Sequence, residues 1–167
     1  MSSSSLRLTI EQQERAGGFF AAPAGKEVWV TEQEKLIGIE WSDELTLGHP
    51  VMDQQHRELI DLFNEASHSI ATIGCQRARP KLDRLIERTM LHFDSEEAAM
   101  ATHEYPEFQA HCDEHTRLAL DIHEFRSQYV AGKFQQAEAL IQYLRVWLVD
   151  HIVKADRQFA LHVLNPK

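Results

Sequence analysis

At 167 residues, 43% hydrophobic and 26% charged, the chain is large enough to bury one core of its own and has an ordinary globular composition. A net charge of −9 with no Lys/Arg stripe argues against a nucleic-acid partner. No apolar run approaches the roughly 18 residues of a membrane span, and no secretory leader follows Met1, so a cytoplasmic protein is expected.

Residues 1–37 differ in character from the rest of the chain. Thr9-Ile10-Glu11-Gln12 resembles a capping box opening a short helix that stops at Gly17-Gly18, and the stretch is expected to be a partly ordered extension without chemistry. Residues 38–167 are expected to form the functional domain. Pro50 suits a first helical turn, and Met52, His56, Leu59, Ile60, Phe63 and Ala66 or Ser67 recur at the spacing of an inward helical face, predicting a first helix over about 50–73. Gly74 ends it. Pro80 marks the start of a second, whose inward face reads Leu82, Leu85, Ile86, Met90 or Thr89, Phe93, Glu96 or Glu97 and Met100, up to about His103.

A third helix is expected from near Pro106 through Phe108, His111, His115, Leu118, Ile122 and Phe125 towards Tyr129, with the next break at Gly132-Lys133. The fourth carries Phe134, Ala137, Leu140, Ile141, Leu144, Trp147 or Leu148, His151 and Ile152. No strand-like alternation is long enough to build a sheet. The fold class is therefore all-α: an up-down-up-down antiparallel four-helix bundle with an N-terminal extension.

Histidine is the unusual residue, with 10 copies. His92 and Glu96 are spaced i, i+4, as are His111 and His115, so each pair stands one turn apart on a single helical face. At one height in an antiparallel bundle, side chains on neighbouring helices lie equally far from the connecting turn. The midpoint between His56 and the 92/96 pair is position 75, beside Gly74; the midpoint between the two pairs falls at His103-Glu104; that between the 111/115 pair and His151 is Gly132. All three are breaks, so His56, His92, Glu96, His111, His115 and His151 are predicted to meet. His103, His123 and His162 lie too far along their helices, roughly 12–16 Å at 1.5 Å per residue, and His49 and His68 sit near helix ends or off the inward stripe.

Asp156 supplies a second carboxylate, but i and i+5 lie about 140° apart on an α-helix. His151 and Asp156 can share a face only if the helix bulges or ends just after His151. Five imidazoles and two carboxylates exceed the needs of one ion and suit two. With the carboxylates and one oxo or hydroxo group bridging, they fill all but one position of two six-coordinate metals. Imidazole with carboxylate and no thiolate favours iron over structural zinc. The remaining position, walled by Leu, Ile, Phe and Trp, suits a small diatomic.

Asp53-Gln54-Gln55-His56, His92-Phe93-x-x-Glu96-Glu97, Tyr105-Pro106 followed by His111-x-x-x-His115, and Trp147-Leu148-x-x-His151-Ile152-x-x-x-Asp156 occur in one order over about three quarters of the chain. In these motifs the chain resembles the hemerythrins, especially the single-domain bacteriohemerythrins. The resemblance implies two non-haem iron ions per chain, bridged by oxo or hydroxo. One would be held by His111, His115 and His151, the other by His56 and His92, with Glu96 and Asp156 bridging. It further implies O2 as ligand at the two-histidine iron, with Leu148 covering the O2 pocket or packing in the core. His49-Pro50-Val51-Met52 replaces the usual aliphatic run before the first motif, and residues 1–37 have no counterpart in the minimal domain.

The expected function is reversible O2 binding for storage, delivery to a protein acceptor, or scavenging, rather than enzymatic turnover. The alternatives are an O2 or redox sensor acting through a partner, and a slow di-iron oxidoreductase acting on peroxide, nitric oxide or nitrite. Carboxylate-rich oxidase sites differ from this imidazole-rich set.

Overall fold

A computed structural model describes residues 38–131 and 136–165. The N-terminal extension, its short helix, and Phe134 of the fourth helix lie outside these residues. Gly38–Lys167 forms a compact unit. Its elements are an irregular strap, residues 38–49, with a 3-10 turn at Asp43–Leu45; helices α1 (Pro50–Ile73), α2 (Cys75–Thr102), α3 (Phe108–Val130) and α4 (Gln136–His151); a π-helical turn, Ile152–Asp156; and α5 (Arg157–Leu164). No strand occurs among the described residues. Each helix packs on the next and α4 packs back on α1, which closes the antiparallel four-helix bundle. No described helix is long and apolar enough to cross a membrane.

The chain starts α1 with Pro50 at its first position and the His49 ring accepting from the Met52 amide at 3.4 Å. The expected inward positions of α1 are all buried, and Phe63 and Ala66 are fully enclosed. On α2 the ambiguous positions resolve to Thr89 and Glu96, and on α4 Leu148 is buried while Trp147 is half-buried. The third helix begins at Phe108, two residues after Pro106, which lies in the turn from α2. Tyr129, near the end of α3, donates its hydroxyl to the Cys75 carbonyl at the start of α2.

One boundary differs from expectation. The second helix starts at Cys75, not Pro80, which lies inside it. Proline there removes a single bond, to the carbonyl of exposed Gln76, which water can serve, so the helix runs through it. The break between α1 and α2 is only one residue, Gly74, at φ 80° and ψ 157°.

That backbone region is essentially restricted to glycine. A Cβ at position 74 would meet nothing within 4 Å, so sterics with neighbours predict no cost for Gly74→Ala. The backbone argument predicts a loss of about 1–3 kcal/mol in chemical denaturation; an unchanged midpoint would contradict it.

Candidate metal centre

All seven predicted side chains come together inside the bundle. His56 stands on α1, His92 and Glu96 on α2, His111 and His115 on α3, His151 at the end of α4 and Asp156 at the end of the π turn. None is more than 5% exposed. Potential donor atoms of Glu96, His111, His115, His151 and Asp156 lie within 4.8 Å of one another, and so do those of His56, His92 and Asp156. Asp156 belongs to both groups.

The π turn is the bulge that the His151/Asp156 spacing demands. An i→i+5 turn brings residues five apart back over one another, and Asp156 Oδ1 lies 3.0 Å from His151 Nε2. The same carboxylate reaches across the bundle, with Oδ1 3.2 Å from His111 Nε2 and Oδ2 3.1 Å from His56 Nε2. Glu96 Oε2 sits 3.4 Å from His115 Nε2, 3.5 Å from His111 Nε2 and 3.7 Å from His92 Nε2.

The Nε2 atom of His151 lies 3.0 Å from those of both His111 and His115. Neutral imidazoles do not gather their lone pairs this way without a cation or proton between them. Donors bonded at about 2.1 Å and right angles stand about 3.0 Å apart, against about 3.4 Å at a tetrahedral angle. The spacing thus fits a six-coordinate ion better than a structural zinc. Both oxygens of Glu96, both of Asp156, both ring nitrogens of His56 and Nδ1 of His111 are buried without a hydrogen-bond partner. Buried native polar groups are normally satisfied, and a cation among them would serve the carboxylate oxygens and His56 Nε2, leaving only the outward Nδ1 atoms of His56 and His111 without a partner. The donor set therefore fits a metal.

Outer contacts orient the rings. His92 Nδ1 donates to Gln55 Oε1 at 3.1 Å, His115 Nδ1 to Glu97 Oε1 at 2.9 Å and His151 Nδ1 to Glu114 Oε2 at 3.1 Å. A proton held on Nδ1 leaves the Nε2 lone pair for a metal. Sequence reasoning does not assign these three residues as supports: Gln55 and Glu114 sit beside predicted ligands on helix flanks, where a polar residue reads as solvated, and Glu97 reads only as an inward alternative to Glu96. Phe93 stacks on His115 (3.8 Å, 9°) and Trp147 on His151 (4.3 Å, 16°), walling the three-histidine side. His56 and His92 meet edge to face at 4.9 Å. Of the set-aside histidines, His68, His103 and His123 are exposed, and His49 caps α1.

Electrostatics without metal show the same demand for positive charge. Burial opposes a charged His151, but the Asp156 carboxylate and Glu114 outweigh it and raise its pKa to about 10. For His111, burial is likewise outweighed by the neighbouring Asp156 and Glu96 carboxylates, raising it to about 9. Burial dominates at His92, which falls to about 4. Burial would raise Asp156, yet the His151 charge and the surrounding imidazoles hold it well below the usual range. Burial and Asp156 also oppose ionisation of Glu96, but His111 and His115 lower its pKa. Protons on His111 and His151 thus stand where a cation would.

A four-helix bundle with an internal cluster of imidazoles and carboxylates projecting from facing helices defines a bundle metalloprotein. The sequence profile described as Hemerythrin HHE cation binding domain matches residues 47–160. A bacteriohemerythrin of Stenotrophomonas maltophilia is 34% identical over 122 residues, covering 72% of this chain and 78% of that one. One of Methylococcus capsulatus is 32% identical over 107 residues, covering 64% and 82%. The crystal structure of a wild-type hemerythrin superposes with a TM-score of 0.69 at 29% identity, over 73% of this chain and 95% of that one. The chain belongs to the hemerythrin family, whose members bind iron.

The pKa directions set a pH dependence for the metal-free protein. Raised histidines stabilise the fold fully below about 6.5, and that contribution is lost as pH climbs through about 9 and 10; the depressed carboxylates stabilise above about 4 to 4.5 and fail on acidification. His92, lowered, gives its contribution above 6.5 and loses it as pH falls towards 4. The urea midpoint of metal-free protein should therefore drop between pH 6.5 and 10, while metal-loaded protein, whose histidines must be neutral to bind, should not show that drop. A metal-free midpoint that rises over this interval would contradict the charge assignment.

Proposed function

We propose that the chain binds O2 reversibly at a pair of iron ions, which Glu96 and Asp156 would bridge with their carboxylates alongside a separate oxo or hydroxo bridge. His111, His115 and His151 hold one iron; His56 and His92 hold the other. Residues 38–167 form the O2-binding domain and 1–37 an extension to it. The observation that carries this reading is the unequal division of the donors: five buried groups gather at one position and three at the other, Asp156 being common to both. An ion held by the poorer group keeps room for a small ligand.

When bound, the iron pair supplies electrons to O2 and takes them back on release. The protein's own residues bind and enclose the pair. Three imidazoles are clamped from outside by Gln55, Glu97 and Glu114, which fixes each ring with its Nε2 aimed inward, where a metal would take the lone pair. Buried Leu148, with Phe93 and Trp147 against the histidine rings, keeps bulk water from the centre. The imidazole-rich donor set carries little negative charge, which favours the ferrous pair that O2 binding requires.

A binding protein rather than an enzyme is also the reading that the relatives' names support. The nearby carboxylates Glu97 and Glu114 are engaged on the outer ring nitrogens, not aimed at the open side.

His92→Ala should lower iron content and the unfolding midpoint together, because metal binding is coupled to folding. A variant retaining two irons per chain would overturn the ligand assignment. Reduced protein exposed to O2 should develop charge-transfer bands in the visible that vanish under vacuum and return with O2. Bleaching within about a second, followed in a stopped-flow cell, would exclude a carrier.

A further inference from the structure

The strap preceding α1 grips the chain on both sides of His56 and immediately after Asp156. Its residues Ile39, Leu45 and Leu47 are buried. On the α1 side, Asp53 accepts from the Leu47 and Gly48 amides at 2.7 and 3.1 Å, Trp41 lies over the Arg57 guanidinium at 3.8 Å, and Asn64 pairs with both backbone groups of Ile39. The Trp41 indole is itself tied to Thr46 Oγ1 at 3.2 Å. On the other side, Arg157 sends its guanidinium to the carbonyls of Glu44 and Thr46.

Asp53 is three residues before His56 and Arg57 one after, while Arg157 directly follows Asp156. The two clamped groups, His56 Nε2 and Asp156 Oδ2, are 3.1 Å apart and come from opposite ends of the bundle sequence. π turns are rare and occur mostly as single-turn bulges, frequently at functional sites, and a contact from outside the helix can hold one in register. The described contacts supply Arg157: a planar fork that can serve two carbonyls at once and stays charged at any working pH.

We propose that Arg157 is a positioning residue: by docking on the strap carbonyls of Glu44 and Thr46 it holds the π turn in register and places Asp156 opposite His56. The proposal rests on the reading of these seven side chains as a metal site. Arg157 is not one of the donors and acts only through the residue before it. Coupling of this kind is reciprocal. If the strap places Asp156, then filling the centre must tighten the strap.

The test uses the full chain under argon, titrated with ferrous iron. Arg157→Ala should bind about tenfold more weakly, in the range found when an outer support of a metal ligand is lost. Arg157→Lys, which keeps the charge but not the fork, should fall between it and wild type. Hydrogen exchange of the Leu47 and Gly48 amides should slow on iron loading in wild type and respond less in Arg157→Ala. Trp41→Ala, which loosens the strap without altering the π turn's own residues, should also weaken iron binding, and it carries the comparison should Arg157→Ala not fold. Iron affinity unchanged in the folded variants, or strap exchange in wild type indifferent to iron, would overturn the proposal. Because no O2 is present, a protein that loads iron normally but later fails to take up O2 would sink only the functional reading.

Discussion

Burying seven polar side chains on four helices costs more than hydrophobic packing can easily offset, unless a positive charge sits among them. Asp156 is completely enclosed and Glu96 almost so, and their oxygens find no hydrogen-bond donors. In the absence of metal the protein can answer only by protonating His111 and His151. A metal answers better, since one ion takes several lone pairs at once. The interior of this bundle is therefore built as a site that could hold a cation, enclosed by the packing of Phe63, Leu118 and Ile141.

The surrounding layer shows how the centre is kept asymmetric. Three of the five imidazoles have a carboxylate or amide on the outer nitrogen, and His115 and His151 also have an aromatic ring against one face. His56 and His111 have no outer partner on Nδ1. His56 stands on α1, which packs along α2 and against α4 and is also bonded to the strap through Asp53 and Asn64. Each side has one imidazole without an outer partner, so the three-histidine and two-histidine sides differ in aromatic stacking as well as in donor number.

Much of this was legible beforehand, and for identifiable reasons. Helix positions followed from apolar spacing, and the convergence of the histidines followed from turn midpoints, because antiparallel helices translate sequence distance into height. The π turn was legible because His151 and Asp156 cannot share an α-helical face. Pro80 misled because a proline near a helix start is equally at home one turn inside it when the orphaned carbonyl faces water. Gln55 and Glu114 were not legible as supports, because they stand on helix flanks that amphipathic spacing assigns to solvent; Glu97 was legible as an alternative to Glu96 on the inward face, but not as the partner of His115. The strap's role was invisible for a different reason. Ile39, Leu45 and Leu47 lie in an irregular segment without period, and the partner that matters, Arg157, is 113 residues from Glu44.

That separation has a consequence for when the centre comes into being. Neighbouring helices can meet as soon as each is made, but the contact of His56 with Asp156 closes a loop of about one hundred residues, and such closures are costly until the intervening structure exists. A growing chain that has completed α1, α2 and α3 already holds four imidazoles and Glu96, yet it lacks His151, Asp156 and Arg157. The full cluster of seven thus exists only after nearly the whole bundle has been synthesised, so a metal that needs all of them would enter as a closing event in the life of the nascent chain rather than an early one.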